Sequence, residues 1–158
     1  MMAQKQRELH NQKKKLAQEL PDKCRTYTVN YTQNTLMPHF GDEQPRETYY
    51  YSPVNVCTRG VVNCLHGIKP MRRCAHVYFE DKGKKGWKNV ASLIYRQLFQ
   101  DGFLMPDKKK VEELNFVFDN CGCWKKNRMV LCLLLFFVKR GVCDMARAIF
   151  LIKGHAKN

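Results

Sequence analysis

Apolar and polar residues alternate along the first half of the chain, and this pattern predicts β-strands. The clearest alternation is RTYTVNY, which is rich in Thr, Tyr and Val. Further segments follow at short intervals, so their strands are expected to form an antiparallel meander. The predicted strands are Arg25–Tyr31, Thr48–Val56, Thr58–Cys64 and Cys74–Glu80. Within the second of them, Tyr49, Tyr50 and Tyr51 are expected to pack in the sheet rather than to stack on bases.

The spacing of apolar residues changes to that of a helix after residue 88. Apolar residues from Val90 to Leu98 recur at i, i+3 and i+4, with Asn89 as the expected cap and Gly102 as the end. A short apolar strand, Leu114–Phe118, comes next. The run MVLCLLLFFV, from Met129 to Val138, is about half as long as a membrane span and predicts a buried helix that stops at Gly141.

A final strand, Ala146–Lys153, follows, and residues 1 to 20 form a charged leading helix that ends at Pro21. With three of the four meander segments counted as separate strands, the order is β-β-β-α-β-α-β. This order predicts an α/β fold with a mixed sheet and helices on its faces. It matches the ribonuclease-H-like fold as far as the fifth strand, without that fold's final helix. We therefore expect a leading basic helix over 1–22 and a truncated ribonuclease-H-like domain over 23–158.

Composition adds a strong positive charge. The 158 residues include 28 Lys and Arg against 14 Asp and Glu, which gives a formal net charge of +14. The hydrophobic content of 44% argues against wholesale disorder. A polyanionic partner is expected, first nucleic acid, with DNA preferred over RNA, and second an acidic membrane surface.

The beginning of the chain is polar, with no apolar leader, and predicts an intracellular protein of the nucleus or cytoplasm. The 8 cysteines are accordingly expected to be reduced thiols. The sequence contains no C-x-x-C pair of the kind that zinc sites usually need. Four of them are expected to be small buried residues: Cys57, Cys64, Cys132 and Cys143.

Two basic segments are candidates for phosphate contacts. Lys13, Lys14 and Lys15 lie in the leading helix, where a solvated face is the favoured interpretation and a phosphate-contacting arm is the alternative. The second segment is a Gly/Lys loop that combines charge for phosphates with a ring for stacking, although a solvated loop is an equal alternative. Its candidate residues are Lys82, Lys84, Lys85, Trp87 and Lys88.

Asp119 is the candidate for metal chemistry. It follows a predicted core strand, where α/β sheets place ligand-binding groups. A phosphoryl-transfer nuclease needs two or three such carboxylates, because they hold the divalent ions that activate water. One Asp alone is more often a turn or cap residue.

Several short motifs occur in an order that resembles an uncharacterised, transposon-associated eukaryotic domain family of the ribonuclease-H-like, transposase or integrase kind. They are VNYTQN, ETYYYSPVNV, KGKKGWKNVASLI, DNCGCWKKN and IFLIKGHAKN. The resemblance covers most of the chain and is strongest from Cys24 to Asn158. It implies Mg²⁺-dependent phosphoryl transfer in the ancestor and binding of nucleic acid.

The family motifs are degenerate here. D-Y-x-Q-N has Asn30 in place of the Asp that would be the first metal ligand, whereas Asp119 keeps the acidic position of D-N-C-G-G-Q-N-K-N. The closing family motif G-H-T-K-N is present with Ala156 in place of Thr. In the family a helix with further acidic residues comes next, and it is not expected here. The resemblance implies catalytic or vestigial roles for Asn30 and Asp119. For His155 it implies a general base or a phosphate contact, with a turn residue as an equal alternative. Nucleic-acid contacts are also expected from Lys125, which departs from the family motif, and from Lys126, Asn127 and Lys157.

Loss of two anionic ligands should cripple a Mg²⁺ site. The sequence therefore favours a nucleic-acid-binding remnant of a mobile-element protein that no longer cleaves strands. Two alternatives stay open: a truncated product whose open end exposes apolar core, and a Mg²⁺-dependent nuclease or transposase completed by a partner chain.

Overall fold

The chain forms an α/β fold, seen in a computed structural model that describes residues 2–32, 34–40, 45–48, 50–63, 73–83, 86–105, 110–118 and 128–151. Three helices and six strands occur within these ranges, together with a short 3-10 turn at Arg46–Thr48. The helices are α1 (Met2–Glu19), α2 (Trp87–Gln100) and α3 (Arg128–Lys139), and the strands are β1 (Cys24–Tyr31), β2 (Thr35–Met37), β3 (Val54–Asn63), β4 (Arg73–Phe79), β5 (Val111–Phe118) and β6 (Cys143–Phe150).

The six strands form one mixed sheet with β1 in its interior. β1 pairs antiparallel with β3, with Tyr31 opposite Arg59, and parallel with β5, with Val29 opposite Phe118. β5 pairs parallel with β6, which forms one edge. β3 also pairs antiparallel with β4, and the short β2 pairs with the beginning of β3. The expected mixed α/β sheet is confirmed.

One face of the sheet is covered by α2 and α3, and the hydrophobic core lies between them. The ring centroids of Tyr27 and Phe116 are 5.5 Å apart in a stacked arrangement, and Phe116 stacks in turn on Phe118 at 6.3 Å. Apolar side chains of α2 and α3, among them Ile94 and Phe137, pack against these rings. Burial of these large side chains is the main stabilising contribution to this half of the molecule.

The opposite face carries α1, which docks through polar contacts. The ammonium of Lys13 lies 2.8 Å from a carboxylate oxygen of Glu113 on β5. The hydroxyl of Thr26 donates to the backbone carbonyl of Lys13 at 3.0 Å, and Ala17 is fully buried. The predicted solvated helix is therefore wrong on this side, because part of α1 is packed against the sheet. Lys15 stays exposed and pairs weakly with Glu19.

The strand predictions differ most from the structure after Thr48. Elsewhere β2 was not predicted, β5 begins at Val111 rather than Leu114, and β6 runs over Cys143–Phe150 rather than Ala146–Lys153, of which residues 152 and 153 lie outside the described ranges. Thr48–Val56 and Thr58–Cys64 were expected as two strands, but one long strand, β3, runs from Val54 to Asn63. Thr48 ends a 3-10 turn, and Tyr50 and Tyr51 lie outside any strand, with Tyr50 92% exposed. β3 stays continuous because β1, β2 and β4 all pair along it, whereas no strand of the described ranges pairs beside Tyr50 and Tyr51, and Tyr49 lies outside these ranges.

The helix predictions hold in position but not in detail. α2 begins at Trp87 with Gly86 as its N-cap, so Asn89 is inside the helix rather than the cap. Gly102 has a φ of 78°, which favours glycine and confirms it as the end of the helix. Gly141 ends α3 in the same way, with a φ of 70°.

The expectation that the apolar run is fully buried is wrong. Only every third or fourth residue of α3 points inward, because the sheet covers one side of the helix. Its buried residues are Val130, Leu134 and Phe137, whereas Leu135 is 68% exposed. Cys132 is also exposed, contrary to prediction, while Cys57 and Cys143 are buried as expected and Cys64 lies outside the described residues. Within the described ranges, no helix has the length and apolar character to cross a membrane.

Candidate nucleic-acid interface

Four strands end on the same side of the sheet, and we call this row of carboxyl ends the carboxyl edge, as distinct from the outer strand β6. β1, β5 and β6 are parallel, and β4 shares their direction because both β1 and β4 are antiparallel to β3. The chain leaves this edge after Phe79 and enters α2 at Trp87. Ligands of α/β sheets bind at such an edge, so we built the candidate site here.

Asn30 lies at this edge, exposed, one residue before the end of β1. Its register partner on β3 is Gly60, and the preceding residue, Val29, is opposite Phe118 at the end of β5. Asp119 follows Phe118 in sequence but lies outside the described residues. The structure thus places Asn30 beside the strand that leads to Asp119, and it tests no metal site there.

The residues needed for Mg²⁺ are not assembled within the described part of the chain. No group of three or more His, Cys, Asp or Glu side chains is placed there so as to hold a metal ion. Asn30 offers only a neutral amide oxygen, which is a weaker ligand than the carboxylate that a hard cation prefers. Most of the other predicted residues lie outside the described ranges: Lys84, Lys85, Lys125, Lys126, Asn127, His155 and Lys157.

Three of the predicted nucleic-acid contacts do come together at the start of α2. Lys82 follows β4 and is exposed, with its ammonium 3.1 Å from the carboxylate of Asp81. The ammonium of Lys88 lies 5.4 Å from the ring centroid of Trp87. These side chains surround an open cleft of about 420 Å³, which is also lined by Gly83, Gly86, Asn89 and Ser92.

The first turn of α2 adds to the positive potential. No side chain caps it, because the N-cap Gly86 has none to offer, and the turn contains no acidic residue. The helix dipole therefore presents its positive end toward the cleft without compensation. Gly83 allows the loop to approach the helix closely, since a Cβ there would lie 2.8 Å from the side-chain nitrogen Nδ2 of Asn89.

A second cleft of about 350 Å³ continues from the first along the gap between β4 and α2. It shares Lys82 and Asn89 with the first cleft and adds Arg96 and His76. Burial lowers the pKa of His76, and the nearby charges of Arg59 and Arg96 lower it further despite a hydrogen bond with Gln97. The imidazole is therefore neutral at neutral pH, and Arg96 supplies the additional cation.

Sequence reasoning missed Arg96, although a signal was present. Lys88, Ser92 and Arg96 are spaced by four residues, and this spacing puts them along one side of a helix. The helix was predicted correctly, so extending the basic loop along it would have included Arg96.

A buried arginine lies underneath these clefts. Arg59 on β3 has no exposed surface, and its Nη1 donates to the backbone carbonyl of Val90 in the first turn of α2 at 3.0 Å. Its guanidinium lies 6.0 Å from the ring centroid of Tyr31. Burial lowers the pKa of Arg59 to about 10, so the side chain still carries its charge at neutral pH. Among the described residues, Nε and Nη2 of this buried cation have no hydrogen-bond partner.

Two tyrosines connect this arginine to the cleft. The hydroxyl of Tyr78 on β4 donates to the hydroxyl of Tyr31 on β1 at 3.1 Å. Burial is the largest cause of the raised pKa of Tyr78, and the contacts with Tyr31 add to it. The phenol of Tyr78 therefore stays neutral, and the chain of contacts holds the first turn of α2 against the end of β1.

The lysines of α1 do not line these clefts, although the alternative interpretation of α1 as a phosphate-contacting arm would place them near such a site. Lys13 is engaged with Glu113, which also lies 3.8 Å from Arg147. Burial alone would raise the pKa of Glu113, but hydrogen bonds from Lys13 and Asn115 and the charges of Lys13 and Arg147 lower it overall. Lys13 is thus committed to holding α1 on the sheet.

Comparison with known proteins finds no matching family model, no matching curated protein and no matching solved structure. The resemblance carried by the short motifs therefore stays a prediction. What supports a function is the arrangement of charges and rings around the start of α2.

Proposed function

We propose that the chain is a nucleic-acid-binding domain of the ribonuclease-H-like class, descended from a mobile-element protein, and that it binds DNA at the edge of the sheet where α2 begins. A three-stranded meander followed by two helix-linked parallel strands, with the first strand inside the sheet, supports this class. The proposal does not depend on the resemblance alone, because the surface chemistry favours the same partner.

The observation that carries the proposal is the arrangement of Lys82, Lys88 and Arg96 along the two clefts that run from the uncapped start of α2. Cations arranged along a continuous cleft are suited to the regularly spaced phosphates of a nucleic acid. Trp87, at the same place, offers a ring on which a base can stack. The charge of Arg59 below and the net charge of +14 strengthen the attraction.

Charge reversal at the cleft is expected to weaken DNA binding much more than the same charge change elsewhere. The double variant Lys82→Glu, Lys88→Glu should lower the affinity for a fluorescein-labelled 20-base-pair duplex at least tenfold. The slope of log affinity against log salt concentration should also become less steep, by an amount that corresponds to about two released counterions. The measurement is fluorescence anisotropy at several salt concentrations.

The matched control is Lys5→Glu, Lys15→Glu, which changes the net charge equally at exposed positions of α1. It should cost less than about threefold in affinity, because these residues do not line the clefts. Equal losses in the two double variants would mean that net charge alone attracts DNA, and the proposed interface would be wrong. Single-stranded DNA and RNA of the same length rank the preferred partner.

Strand cleavage is expected to be lost. With Asn30 in place of a carboxylate, one ligand of the two-ion arrangement has no charge to offer. Incubation with supercoiled plasmid and millimolar Mg²⁺ should give no nicked product on a gel. Cleavage that Asp119→Asn abolishes would overturn this part of the proposal and favour a nuclease.

A further inference from the structure

The outward side of the two helices that cover the core is apolar. We call it the α2/α3 apolar face and define it by Tyr95, Phe99, Leu131, Leu135, Phe136 and Val138, each of them more than a third exposed. The rings of Tyr95 and Phe136 meet across the helix pair with centroids 6.5 Å apart, so the face is continuous. Its exposed area is on the order of 500 Å², at the upper end of the largest patch on a typical monomer, which suggests an interaction surface.

The charged residues within α2 and α3 are all cationic, and Asp101, directly after α2, accepts a hydrogen bond from the hydroxyl of Tyr27 at 2.7 Å. Neither α2 nor α3 contains an Asp or Glu, whereas Arg96, Arg128, Lys139 and Arg140 lie on these helices or directly after them. The guanidinium of Arg140 is 5.5 Å from the ring centroid of Phe136, which places a cation at the border of the apolar surface. A second copy of the chain would bring identical cations together, so charge complementarity favours an acidic partner.

We propose that the α2/α3 apolar face docks an amphipathic helix of a partner protein, with acidic residues flanking the helix's apolar side. Two helices packed side by side leave a shallow groove, and a third helix can lie in it by the usual interdigitation of side-chain ridges. Leu131, Leu135 and Val138 are spaced by four and three residues, so they form one row along α3. The partner's acids then face the cations at the border of the row.

An anionic bilayer is the competing occupant, because it also combines apolar and negative groups. The structure favours a helix. The ring of Phe136 is in contact with Tyr95 and with Arg140, so the surface is a packed row of side chains rather than a set of isolated projections that enter lipid. The 12 residues of α3 measure about 18 Å, a little over three turns, so a partner helix of similar length can lie along them.

The test uses a display library of 18-residue helical peptides with apolar anchors at helical spacing and either Glu/Asp or Lys/Arg at the flanking positions. Selection on the folded wild-type chain should enrich peptides with acidic flanks. Leu135→Asp should weaken the enriched peptides at least tenfold, because it removes a central apolar contact and adds a like charge. Arg140→Glu should also weaken them by severalfold.

The matched control is Val77→Asp, since Val77 on β4 is 62% exposed and lies outside the α2/α3 apolar face. It should leave peptide affinity unchanged. Near-UV circular dichroism and thermal melts verify that each variant is folded, and Phe99→Ser replaces Leu135→Asp if that variant loses its fold.

Three results would overturn the proposal. The first is a selection that does not prefer acidic over basic flanks, or peptides that bind Leu135→Asp as tightly as wild type. The second is Leu135-dependent binding to phosphatidylserine vesicles without peptide binding, which would assign the face to a membrane. The third is self-association in sedimentation velocity that Leu135→Asp abolishes, which would assign it to a second copy.

Discussion

Replacing Arg59 by alanine is expected to lower the free energy of unfolding by about 3 kcal/mol, whereas replacing it by methionine should raise that free energy by about 1 kcal/mol. Alanine leaves a cavity where a long side chain fills space between β3 and α2, and it removes the contacts with Val90 and Tyr31. Methionine fills much of the same volume without a charge.

The gain with methionine follows from the cost of burying a cation. A pKa lowered to about 10 from the ordinary arginine value corresponds to a penalty of about 3 kcal/mol, fully present below pH 10 and lost as the pH rises further toward that ordinary value. The lost hydrogen bond and ring contact offset roughly 2 kcal/mol of this. Urea unfolding at pH 7, followed by circular dichroism, measures both variants. A methionine variant as unstable as the alanine variant would show that the charge of Arg59 stabilises the fold.

Replacing Glu113 by glutamine is expected to destabilise the docking of α1 by about 2 kcal/mol. The carboxylate is only 23% exposed and faces the ammonium of Lys13, which is 17% exposed. Without the negative charge, the partly buried ammonium of Lys13 loses its ionic partner, and the guanidinium of Arg147 loses a nearby anion. Hydrogen exchange of the backbone amides of α1 should accelerate by more than tenfold, while exchange in β5 changes little.

The neighbouring Glu112→Gln is the control, because Glu112 pairs with Lys23 at the surface and both side chains are about 60% exposed. It should cost less than about 0.5 kcal/mol. The effect at Glu113 also depends on pH. Its pKa is lowered in the folded chain, so the stabilisation is present above pH 4.5 and disappears as the pH falls through the lower folded value. Wild type and Glu113→Gln should therefore converge in acid, and a constant difference would exclude the ion pair as the cause.

Regular patterns in the sequence were enough to place most elements. β1 was predicted to within one residue at each end and α2 to within three, because alternation and helical spacing report which side chains a sheet or helix buries. β3 was divided wrongly, because its continuity depends on pairing with β1, β2 and β4, and these partners are distant in sequence. Tyr50 and Tyr51 have high strand propensity, but no strand in the described part of the chain pairs with them.

The candidate site was predicted where it depends on local sequence and missed where it depends on packing. Lys82, Trp87 and Lys88 are neighbours in the chain, and the structure brings them to one cleft. Arg59 gave no such signal, since a single arginine in a strand is normally expected at the surface. Only the arrangement of β1, β4 and α2 around it reveals a buried cation. The exposure of α3 was missed because a continuous apolar run does not say how many of its sides are covered.

The interior position of β1 has a consequence for how the chain acquires its structure. β1 is made early, but its parallel partner β5 is separated from it by β2, β3, β4 and α2. During synthesis, β1 can pair with β3 while the other edge of β1, with Tyr27 and Val29, has no partner until β5 leaves the ribosome. Closing so long a loop is slow compared with forming the β3–β4 pair. The nascent chain therefore passes through a stage with an open, partly apolar strand edge, and this stage is where aggregation or chaperone binding would compete with folding.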